Sequence, residues 1–411
     1  MSNDIYKHWK RNLLCIWLGQ LLAMAGSSFV LPFIPIFVRE KMGIEEESQR
    51  AMVVSMFFSV GLLSFCISNP IWGVIGDRFG RKTMLLRAYF GNALTFPALY
   101  FMPTVGLLLV MRFISSMFSG TVAASQALVA VTTPDKHQGF ALGALSSAFW
   151  SGNMLGMVMG GVVVHYFGYM TSFMICGGMF MVGGLLTLFF VDEHFVPPVK
   201  AEVAEKKKIH LALPDFSYAV WLVLGLSFLV PMARRCDEPF LALLVELISG
   251  KDNAALYTGW VMASASVGGI LSGMFFGALA DRCKPLTLLL PALICAGAFT
   301  MLQSTAESLV VLGIARFFIF FAVGGLEPIL LSMLSQAVRP ERRGAAFGWN
   351  ASLRVFGGMF GALMGGGVIA LAGTRGVFVF AGILLLIMIV PIVIFVPKIS
   401  RFIKEKRSNL P

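Results

Sequence analysis

Charged residues are scarce in this sequence. Only 13% of its 411 residues are Asp, Glu, Lys or Arg, whereas 57% are hydrophobic. A soluble domain keeps about a quarter of its residues charged, because its surface must face water. The shortage excludes an ordinary soluble domain and indicates that most of the surface faces lipid. The net charge of +11 does not call for nucleic acid, because the basic residues lie in loops between apolar runs, as in membrane proteins.

Residues for metal and disulfide chemistry are also few. The sequence has six cysteines and five histidines, without a C-x-x-C pair or a histidine cluster. This pattern predicts no disulfide framework, no metal site and no cofactor. The motifs H-E-x-x-H, G-x-S-x-G and the nucleotide-binding G-x-x-x-x-G-K-S/T are absent as well. Their absence argues against a membrane enzyme and against built-in ATP hydrolysis.

Long apolar runs occupy most of the chain. A helix needs about 20 mostly apolar residues to cross a bilayer, and the runs predict twelve transmembrane helices. The predicted spans are 13–38, 51–75, 84–102, 105–132, 139–167, 171–191, 217–248, 255–280, 286–303, 309–337, 344–372 and 377–396. The first run is too long for a signal peptide and lacks a small-residue cleavage site, so it is predicted to be a span.

The stretch 192–216 is the only long polar segment between the apolar runs. It predicts four parts: an N-terminal six-helix bundle (1–191), a cytoplasmic linker (192–216), a second six-helix bundle (217–397) and a basic cytoplasmic tail (398–411). The loops on one side carry most of the lysines and arginines. The opposite loops hold Arg39, Lys41, Arg50, Lys251 and Arg375. By the positive-inside rule, both termini are predicted to be cytoplasmic.

The two predicted halves repeat each other. Asp77-Arg78 recurs as Asp281-Arg282, and Arg112-Phe113 recurs as Arg316-Phe317 at the same offset. Four glycines recur with the same spacing: Gly152, Gly156, Gly160 and Gly161 correspond to Gly357, Gly361, Gly365 and Gly366. One large group of transporters has such halves, with substrate bound between them near mid-membrane. The sequence therefore predicts an all-α membrane protein of two pseudo-symmetric halves.

The loop between predicted spans 2 and 3 carries a specific motif. Its residues Gly73, Asp77, Arg78, Gly80, Arg81 and Lys82 fit G-x-x-x-D-R-x-G-R-K/R. This segment resembles the signature of the major facilitator superfamily, and the resemblance extends over the whole chain. It implies the major facilitator fold, with twelve helices in two six-helix halves. Asp77 is then expected to form a conformational latch that breaks as the halves rock. The alternative is a basic loop without a switching role.

Further features resemble the drug:proton antiporter branch of that family. Pro32 and Pro35 match its P-x-x-P element, and Arg112 stands where that branch has an arginine in span 4. The span-5 glycines match G-x-x-x-G-P-x-x-G-G, except that Met157 replaces the proline. The resemblance implies a bacterial multidrug exporter of the inner membrane. Close helix packing is the alternative reading of the glycines.

Ionisable residues inside predicted spans are candidates for transport and proton coupling, because they are costly in a membrane. The outer set comprises Arg234, Arg235, Asp237 and Glu238 of span 7, with Arg112 and Arg316 at a similar depth. On one helix face, Glu238 can pair with either of the neighbouring arginines. These groups are expected to meet in the outer part of a central cavity. A hydrated, self-paired cluster at the cavity mouth is the alternative.

A second polar set lies deeper in the predicted spans. Glu327 and Arg354 lie at equal depth on adjacent spans and can pair, with Asn350 one turn away. We expect Glu327 to be the coupling site, because its charge would depend on whether Arg354 stays near. A structural ion pair is the alternative. Three further residues are substrate-cavity candidates: Gln20, Gln126 and Asn153.

The predicted function is proton-coupled export of amphipathic small molecules by alternating access. The expected partners are the substrate, protons and the lipid bilayer, with the protein acting as a monomer. The 37 phenylalanines and 24 methionines suit varied substrates, because thioethers repack around different shapes. The first alternative is a transporter of the same fold for one metabolite, sugar or lipid. A polytopic membrane enzyme is the second.

Overall fold

The computed structural model describes residues 8–193, 216–280, 284–338 and 343–408. Most of the predicted linker and the second-half copy at Asp281-Arg282 lie outside the described residues. The side chains of Asp77 and Glu327 lie outside them too, although the backbone of both residues is helical.

Helices make up nearly all of the described chain. In chain order they are α1 (Trp9–Val30), α2 (Ile34–Met42), α3 (Glu47–Phe79), α4 (Arg81–Tyr100), α5 (Val105–Met117), α6 (Thr121–Thr132), α7 (Gln138–Phe190), α8 (Tyr218–Arg234), α9 (Leu241–Ser249), α10 (Ala254–Ala280), α11 (Pro285–Ser304), α12 (Leu309–Val323), α13 (Leu326–Ala337), α14 (Arg343–Ile387) and α15 (Ile389–Ser408). Short 3₁₀ segments lie at Leu31–Phe33, Asp135–His137 and Glu238–Phe240.

Many of these helices have an apolar exterior. Eight segments of the described residues are long and apolar enough to cross a membrane. Exposed apolar side chains on the helices of the described residues include Leu94, Phe140, Phe189, Val310 and Leu371. Such a large apolar surface on a soluble protein would be a liability, so the chain is a multi-pass membrane protein. The number twelve stays a prediction.

Two of the eight segments are each divided by a single glycine. Gly168 interrupts the 53-residue helix α7, and Gly373 interrupts α14. Both have positive φ, at 78° and 70°. Gly168 and Gly373 are related by the offset that relates Gly152 to Gly357, so these breaks belong to the repeat. Helix α7 is helical through Met157, and Gly168 is its one non-helical residue.

Four predicted spans are broken in their middle. The first is interrupted at Leu31–Phe33, and the fourth at 118–120 between α5 and α6. The seventh is interrupted at 235–240, and the tenth at 324–325 between α12 and α13. The breaks are evenly distributed, since each falls three predicted spans after the previous one. Discontinuous helices are typical of binding sites in transporters, because a break exposes backbone groups and turns side chains inward.

Contacts divide the chain into two compact units. Unit 1 combines Met1–Pro32 with Ser64–Leu213, and unit 2 combines Phe33–Leu63 with Pro214–Pro411. The segment Phe33–Leu63, which contains α2 and the start of α3, therefore packs with C-terminal residues. The boundaries predicted for the two bundles remain a prediction.

Glycine allows close helix packing at the same place in each unit. In unit 1, a Cβ on Gly152 would lie 2.5 Å from the Leu21 carbonyl oxygen, and one on Gly156 would lie 2.3 Å from that of Ala25. In unit 2, a Cβ on Gly361 would lie 2.2 Å from the Met232 carbonyl oxygen. Real Cβ atoms do not approach this closely. The repeated glycines thus let α7 pack on α1 and α14 pack on α8, as small residues do in membranes.

Candidate functional site

Four charged residues lie at the break between α8 and α9: Arg234, Arg235, Asp237 and Glu238. Helix α8 ends at Arg234, a turn covers 235–237, and a 3₁₀ segment runs from Glu238 to Phe240. Pro231 lies in the last turn of α8 and Pro239 lies in the 3₁₀ segment. Proline removes a backbone donor and disfavours a continuous helix. The nine residues of α9 follow, so the break lies about 13 Å from the end of that helix.

Asp237 and Arg316 form a buried ion pair. The Nη2 atom of Arg316, on α12, lies 2.8 Å from Oδ2 of Asp237, and the side chains are only 1% and 6% exposed. The guanidinium also lies 5.8 Å from the ring centre of Phe378. Losing one partner of such a pair would leave an uncompensated charge inside the protein, which is strongly unfavourable. The two residues are therefore mutually dependent.

Glu238 makes looser contacts with two neighbouring arginines. Its Oε2 atom lies 3.5 Å from Nε of Arg235 and 3.9 Å from Nη2 of Arg234. These side chains are partly exposed, at 24% for Glu238, 37% for Arg235 and 22% for Arg234. The Arg234 guanidinium also lies 5.5 Å from the ring centre of Phe320. The break thus joins an enclosed ion pair to a more open group of charged side chains.

Helix α14 carries the deeper candidates. Asn350 is buried and Arg354 is half-buried. A Cβ on Gly358, one turn after Arg354, would lie 3.4 Å from Cγ of Arg235, so the stem of Arg235 runs beside this helix. The predicted pair of Arg354 with Glu327 remains a prediction, because the Glu327 side chain lies outside the described residues.

Three uncharged candidates, Gln20, Gln126 and Asn153, lie in unit 1. Ser125 donates a hydrogen bond of 3.0 Å to the side-chain carbonyl of Gln20, and both residues are buried. Ser28 donates one of 2.7 Å to Asn153, whose amide in turn donates to the Phe149 carbonyl. Amide and hydroxyl pairs of this kind hold helices together in membranes. Gln126 is exposed, and Arg112 lies half-buried on α5.

The signature segment forms a tight turn between α3 and α4. Gly80 has φ 92° and ψ 159°, a conformation that favours glycine, and α4 begins at Arg81. The backbone N–H groups of Arg81 and Lys82 donate to the two carboxylate oxygens of Glu193, each at 2.8 Å. The Lys82 ammonium donates to the Leu188 carbonyl at 2.9 Å. Glu193 therefore caps the helix that the signature opens.

The residue before Glu193 is held just as firmly. Asp192 forms an ion pair with Arg11. The side-chain amide of Asn12 donates to the Asp192 carbonyl at 2.8 Å, and its oxygen accepts from the Asp192 N–H at 3.1 Å. The sequence analysis missed both acidic residues as site residues, because it assigned them to the linker. The available signal was two acidic residues directly after an apolar run.

A second buried charge cluster in unit 2 was also missed. Glu246, on α9, lies 2.5 Å from Arg39 and 3.1 Å from Arg50, and all three side chains are at most 8% exposed. Nearby, Glu47 accepts from the N–H and the hydroxyl of Thr374 at 2.5 Å each. The sequence analysis placed both arginines in loops. Their positions at the edges of apolar runs, with a carboxylate at the edge of a third, were the available signal.

Metal chemistry receives no support from this geometry. Within the described ranges, no three His, Cys, Asp or Glu side chains are grouped so that they could hold a metal ion.

Comparison with known families fits these features. The family model described as "Major Facilitator Superfamily" matches residues 16–249 and 223–409, which together span nearly the whole chain. The chain belongs to the major facilitator superfamily. It is accordingly a secondary transporter of small molecules, with the signature turn, the broken helices and the glycine contacts of its two units as its observed elements.

Two curated relatives are similar to this chain over nearly its whole length. "Multidrug resistance protein MdtG" of Citrobacter koseri is 33% identical over 385 residues, which are 93% of this chain and 94% of the relative. The protein of the same name from Salmonella paratyphi C is 32% identical, with 93% and 95% of the two chains covered.

Solved structures of other transporters share the fold. The nucleoside transporter NupG matches with a TM-score of 0.72 at 12% identity, over 93% of this chain and 98% of its own. A bacterial homologue of the human lysosomal transporter Spinster, in an inward-facing and occupied conformation, matches with a TM-score of 0.67 at 14% identity. It covers 97% of both chains.

Proposed function

We propose that this superfamily member is a proton-coupled exporter of amphipathic small molecules in the bacterial inner membrane. Relatives that match 93% of the chain are named multidrug resistance proteins, which supports export of varied compounds. Because the sequence has no nucleotide-binding motif, uphill export must draw on an ion gradient. We place both termini in the cytoplasm, in accordance with the basic loops, and take the monomer as the working unit.

The buried pair of Asp237 and Arg316 is the observation that carries this proposal. A carboxylate within a membrane is functional by default, because it is costly to keep there. Asp237 can hold its negative charge while Arg316 lies 2.8 Å away. When a proton binds Asp237, the pair loses its attraction and Arg316 keeps an uncompensated charge. Protonation thus favours a rearrangement of α12 against α8, which is the kind of step that couples protons to alternating access.

We also assign roles in the transport cycle to Asp77 and to one cluster of buried charges. Asp77 is proposed as a latch on the cytoplasmic side, where Gly80 and Glu193 fix the start of α4. The cluster of Glu246 with Arg39 and Arg50 is proposed as a periplasmic gate. It ties α2 and the start of α3, in the first repeat, to α9 of the second repeat. A gate needs contacts that hold the helices together when it is closed and that break when the helices move apart. Ion pairs between helices meet both conditions.

Substrate-driven proton release tests the proposal. Purified protein would be mixed with a transported dye in weakly buffered solution, and the released protons counted with a pH indicator. Wild-type protein should release protons on dye binding, and Asp237→Asn should release none while it still binds dye. Glu238→Gln and Glu327→Gln are compared in parallel, with Glu307→Gln as the control at an exposed site.

The outcome assigns the coupling residue. Normal release from Asp237→Asn would remove this residue from coupling, and loss confined to Glu327→Gln would transfer the role to Glu327. In cells, dye export that continues unchanged after a protonophore collapses the gradient would refute proton coupling itself.

A further inference from the structure

The break between α5 and α6 leaves backbone groups without partners in a helix. Helix α5 ends at Met117 and α6 begins at Thr121, with Gly120 before it at a φ of 116°. The last carbonyls of a helix have no partner within that helix, and they form its negative end. This break lies in the middle of a predicted span, where backbone groups have to be satisfied by the protein itself.

Arg87, on α4, donates to two of these carbonyls. Its Nη2 atom lies 3.2 Å from the oxygen of Ser119, and its Nη1 atom lies 3.4 Å from that of Met117. The guanidinium also lies over the ring of Trp72 on α3, with 4.0 Å between its central carbon and the ring centre. A tryptophan face is the best aromatic partner for a cation. One guanidinium therefore joins α3, α4 and the break.

Two more side chains bind the same stretch of backbone. The indole N–H of Trp72 donates to the Met117 carbonyl at 2.8 Å. The side-chain amide of Asn92, on α4, donates to the Phe118 carbonyl at 3.4 Å. The carbonyls of residues 117–119 thus each accept a hydrogen bond from α3 or α4. Arg87 brings a positive charge to the negative end of α5, where a cation is favourable.

The corresponding break in unit 2 is built differently. At the offset that relates Asp77 to Asp281, Arg87 corresponds to Pro291. The residue that corresponds to Trp72 is Phe276. A Cβ on Gly325 would lie 2.2 Å from Cγ of Phe276, so this break packs directly on an aromatic ring. The arginine cap is therefore a feature of the break in unit 1.

We propose that Arg87 is a positioning residue, which fixes the C-terminal end of α5 and with it Arg112. Arg112 lies five residues before Met117, about 7.5 Å at the helical rise. Ser64 of α3 holds the stretch between them, because its hydroxyl donates to the Phe113 carbonyl at 2.6 Å. This inference rests on the proposed export function, for which Arg112 is one of the transport candidates.

Loss of the cap should slow transport without weakening substrate binding. Arg87 contacts backbone carbonyls and Trp72, and its role in the cycle is to keep the end of α5 in one position. Without it, only a fraction of the molecules hold Arg112 where the cycle uses it, and the turnover falls with that fraction.

Chemical rescue tests this role in the full-length protein. Arg87→Ala removes the guanidinium and leaves space for a small ion. In proteoliposomes with an imposed proton gradient, it should lower kcat for dye export about tenfold or more, since hydrogen bonds from charged groups are the strong ones. KM should stay unchanged. Millimolar methylguanidinium should restore most of the rate, and the same concentration of sodium chloride should not, because only the guanidinium brings N–H donors to both carbonyls.

Two further measurements report on the cap independently of transport. The backbone amides of residues 117–121 should exchange faster with solvent in Arg87→Ala. The emission of Trp72, obtained by subtracting the spectrum of Trp72→Phe, should change in Arg87→Ala and recover with methylguanidinium. Arg375→Ala is the matched control, because Arg375 donates to the Ser304 carbonyl at the end of α11. It should change neither quantity.

Unchanged amide exchange and Trp72 emission in Arg87→Ala would overturn the inference. So would a rise in KM at normal kcat, which would place Arg87 in substrate binding. If Arg87→Ala does not fold, Arg87→Gln is measured instead, and normal turnover and exchange in that variant would overturn the inference as well. Absence of proton-driven transport in the wild-type protein would refute the proposed export, whereas amide exchange and Trp72 emission would still decide whether Arg87 holds the break.

Discussion

Two helix breaks occupy equivalent places in the repeat but differ in chemistry. The break between α1 and α2 leads to Pro35, and that between α8 and α9 leads to the matching Pro239. The two residues before the proline are Phe33 and Ile34 in the first copy, both buried. In the second copy they are Asp237 and Glu238. A break therefore needs no charge to form. Since the first copy forms its break without them, we propose that the charges of the second copy serve transport.

The arginines extend the same comparison. Arg112 and Arg316 correspond in the repeat, and Arg316 pairs with Asp237. The position that corresponds to Asp237 in the first copy is Phe33, which offers no charge. The first copy thus keeps an arginine at the position of Arg316 and has Phe33 where the second copy has Asp237. The two copies therefore share the helix break and the arginine position, and the enclosed pair of Asp237 with Arg316 is a feature of the second copy.

The largest expected effect comes from splitting the enclosed pair. Asp237→Asn or Arg316→Gln should each cost about 3–5 kcal/mol of unfolding free energy, because each leaves a buried charge without its partner. The double variant should be more stable than either single variant. Thermal or denaturant unfolding in detergent measures all three. Arg112→Gln is the matched control, and its effect should add to that of Asp237→Asn. If Arg316→Gln cost no more than Arg112→Gln, the contrast between the copies would disappear.

Substitutions at glycines test whether the helix packing is equivalent in the two units. Gly156→Ala and Gly361→Ala should each destabilise the protein by about 1–3 kcal/mol, because the new methyl group would press on a carbonyl oxygen of the facing helix. The two losses should be similar, since the contacts correspond. Gly178→Ala and Gly367→Ala, where a Cβ meets nothing within 4 Å, are the controls. If only one of Gly156→Ala and Gly361→Ala lowered the stability, the helix packing of the two units would not be equivalent.

A smaller effect is expected at the start of α4. Glu193→Gln should cost about 0.5–2 kcal/mol, the range for losing a helix cap. The amide protons of Arg81 and Lys82 should then exchange faster with solvent, which mass spectrometry of the first turn can follow. Glu307→Gln, at an exposed position, should change neither quantity. Unchanged exchange in Glu193→Gln would mean that the carboxylate does not hold this turn.

The smallest effect is expected at the exposed pair of Lys251 and Glu45, whose atoms lie 2.8 Å apart. The hydrogen bond from Lys251 lowers the pKa of the Glu45 carboxyl below its usual value. The pair's contribution is therefore present at neutral pH and is lost as the pH falls through the lowered pKa. Lys251→Gln should leave the unfolding midpoint unchanged within error at acidic pH and nearly so at neutral pH. A large loss of stability at neutral pH would contradict this prediction. It would show that an exposed ion pair can stabilise this protein as much as the buried pair of Asp237 and Arg316.

Hydropathy and spacing were sufficient for much of the fold. The apolar runs indicated a helical membrane protein. Close helix packing was the alternative reading of the repeated glycines, and the contacts of Gly156 and Gly361 agree with it. The breaks at Leu31–Phe33 and at 118–120 were not predicted, although Pro32 and the pair Ser119-Gly120 were available signals. Hydropathy alone gives no information on where the backbone leaves the helix, because both breaks lie within long apolar runs.

The candidate site was predicted in part. Depth along the spans suggested that Arg316 could meet the acidic residues of the α8–α9 break, and Asp237 is the one it contacts. The partners of Glu246 could not be predicted from the sequence. Arg39 and Arg50 lie far from Glu246 along the chain, and only tertiary packing brings the three together. Glu193 binds backbone N–H groups, which every residue has, so no pattern of side chains marks its site.

The single-residue breaks at Gly168 and Gly373 bear on how the protein can be handled. A protease needs several extended residues to grip its substrate, and an antibody needs a comparable exposed strip. One glycine between two helical stretches supplies neither. Limited digestion should therefore leave α7 and α14 uncut at these points, and epitope tags placed there should prevent insertion or folding. Reporters for mapping the topology belong instead at 43–46, where the chain between α2 and α3 has left the helix.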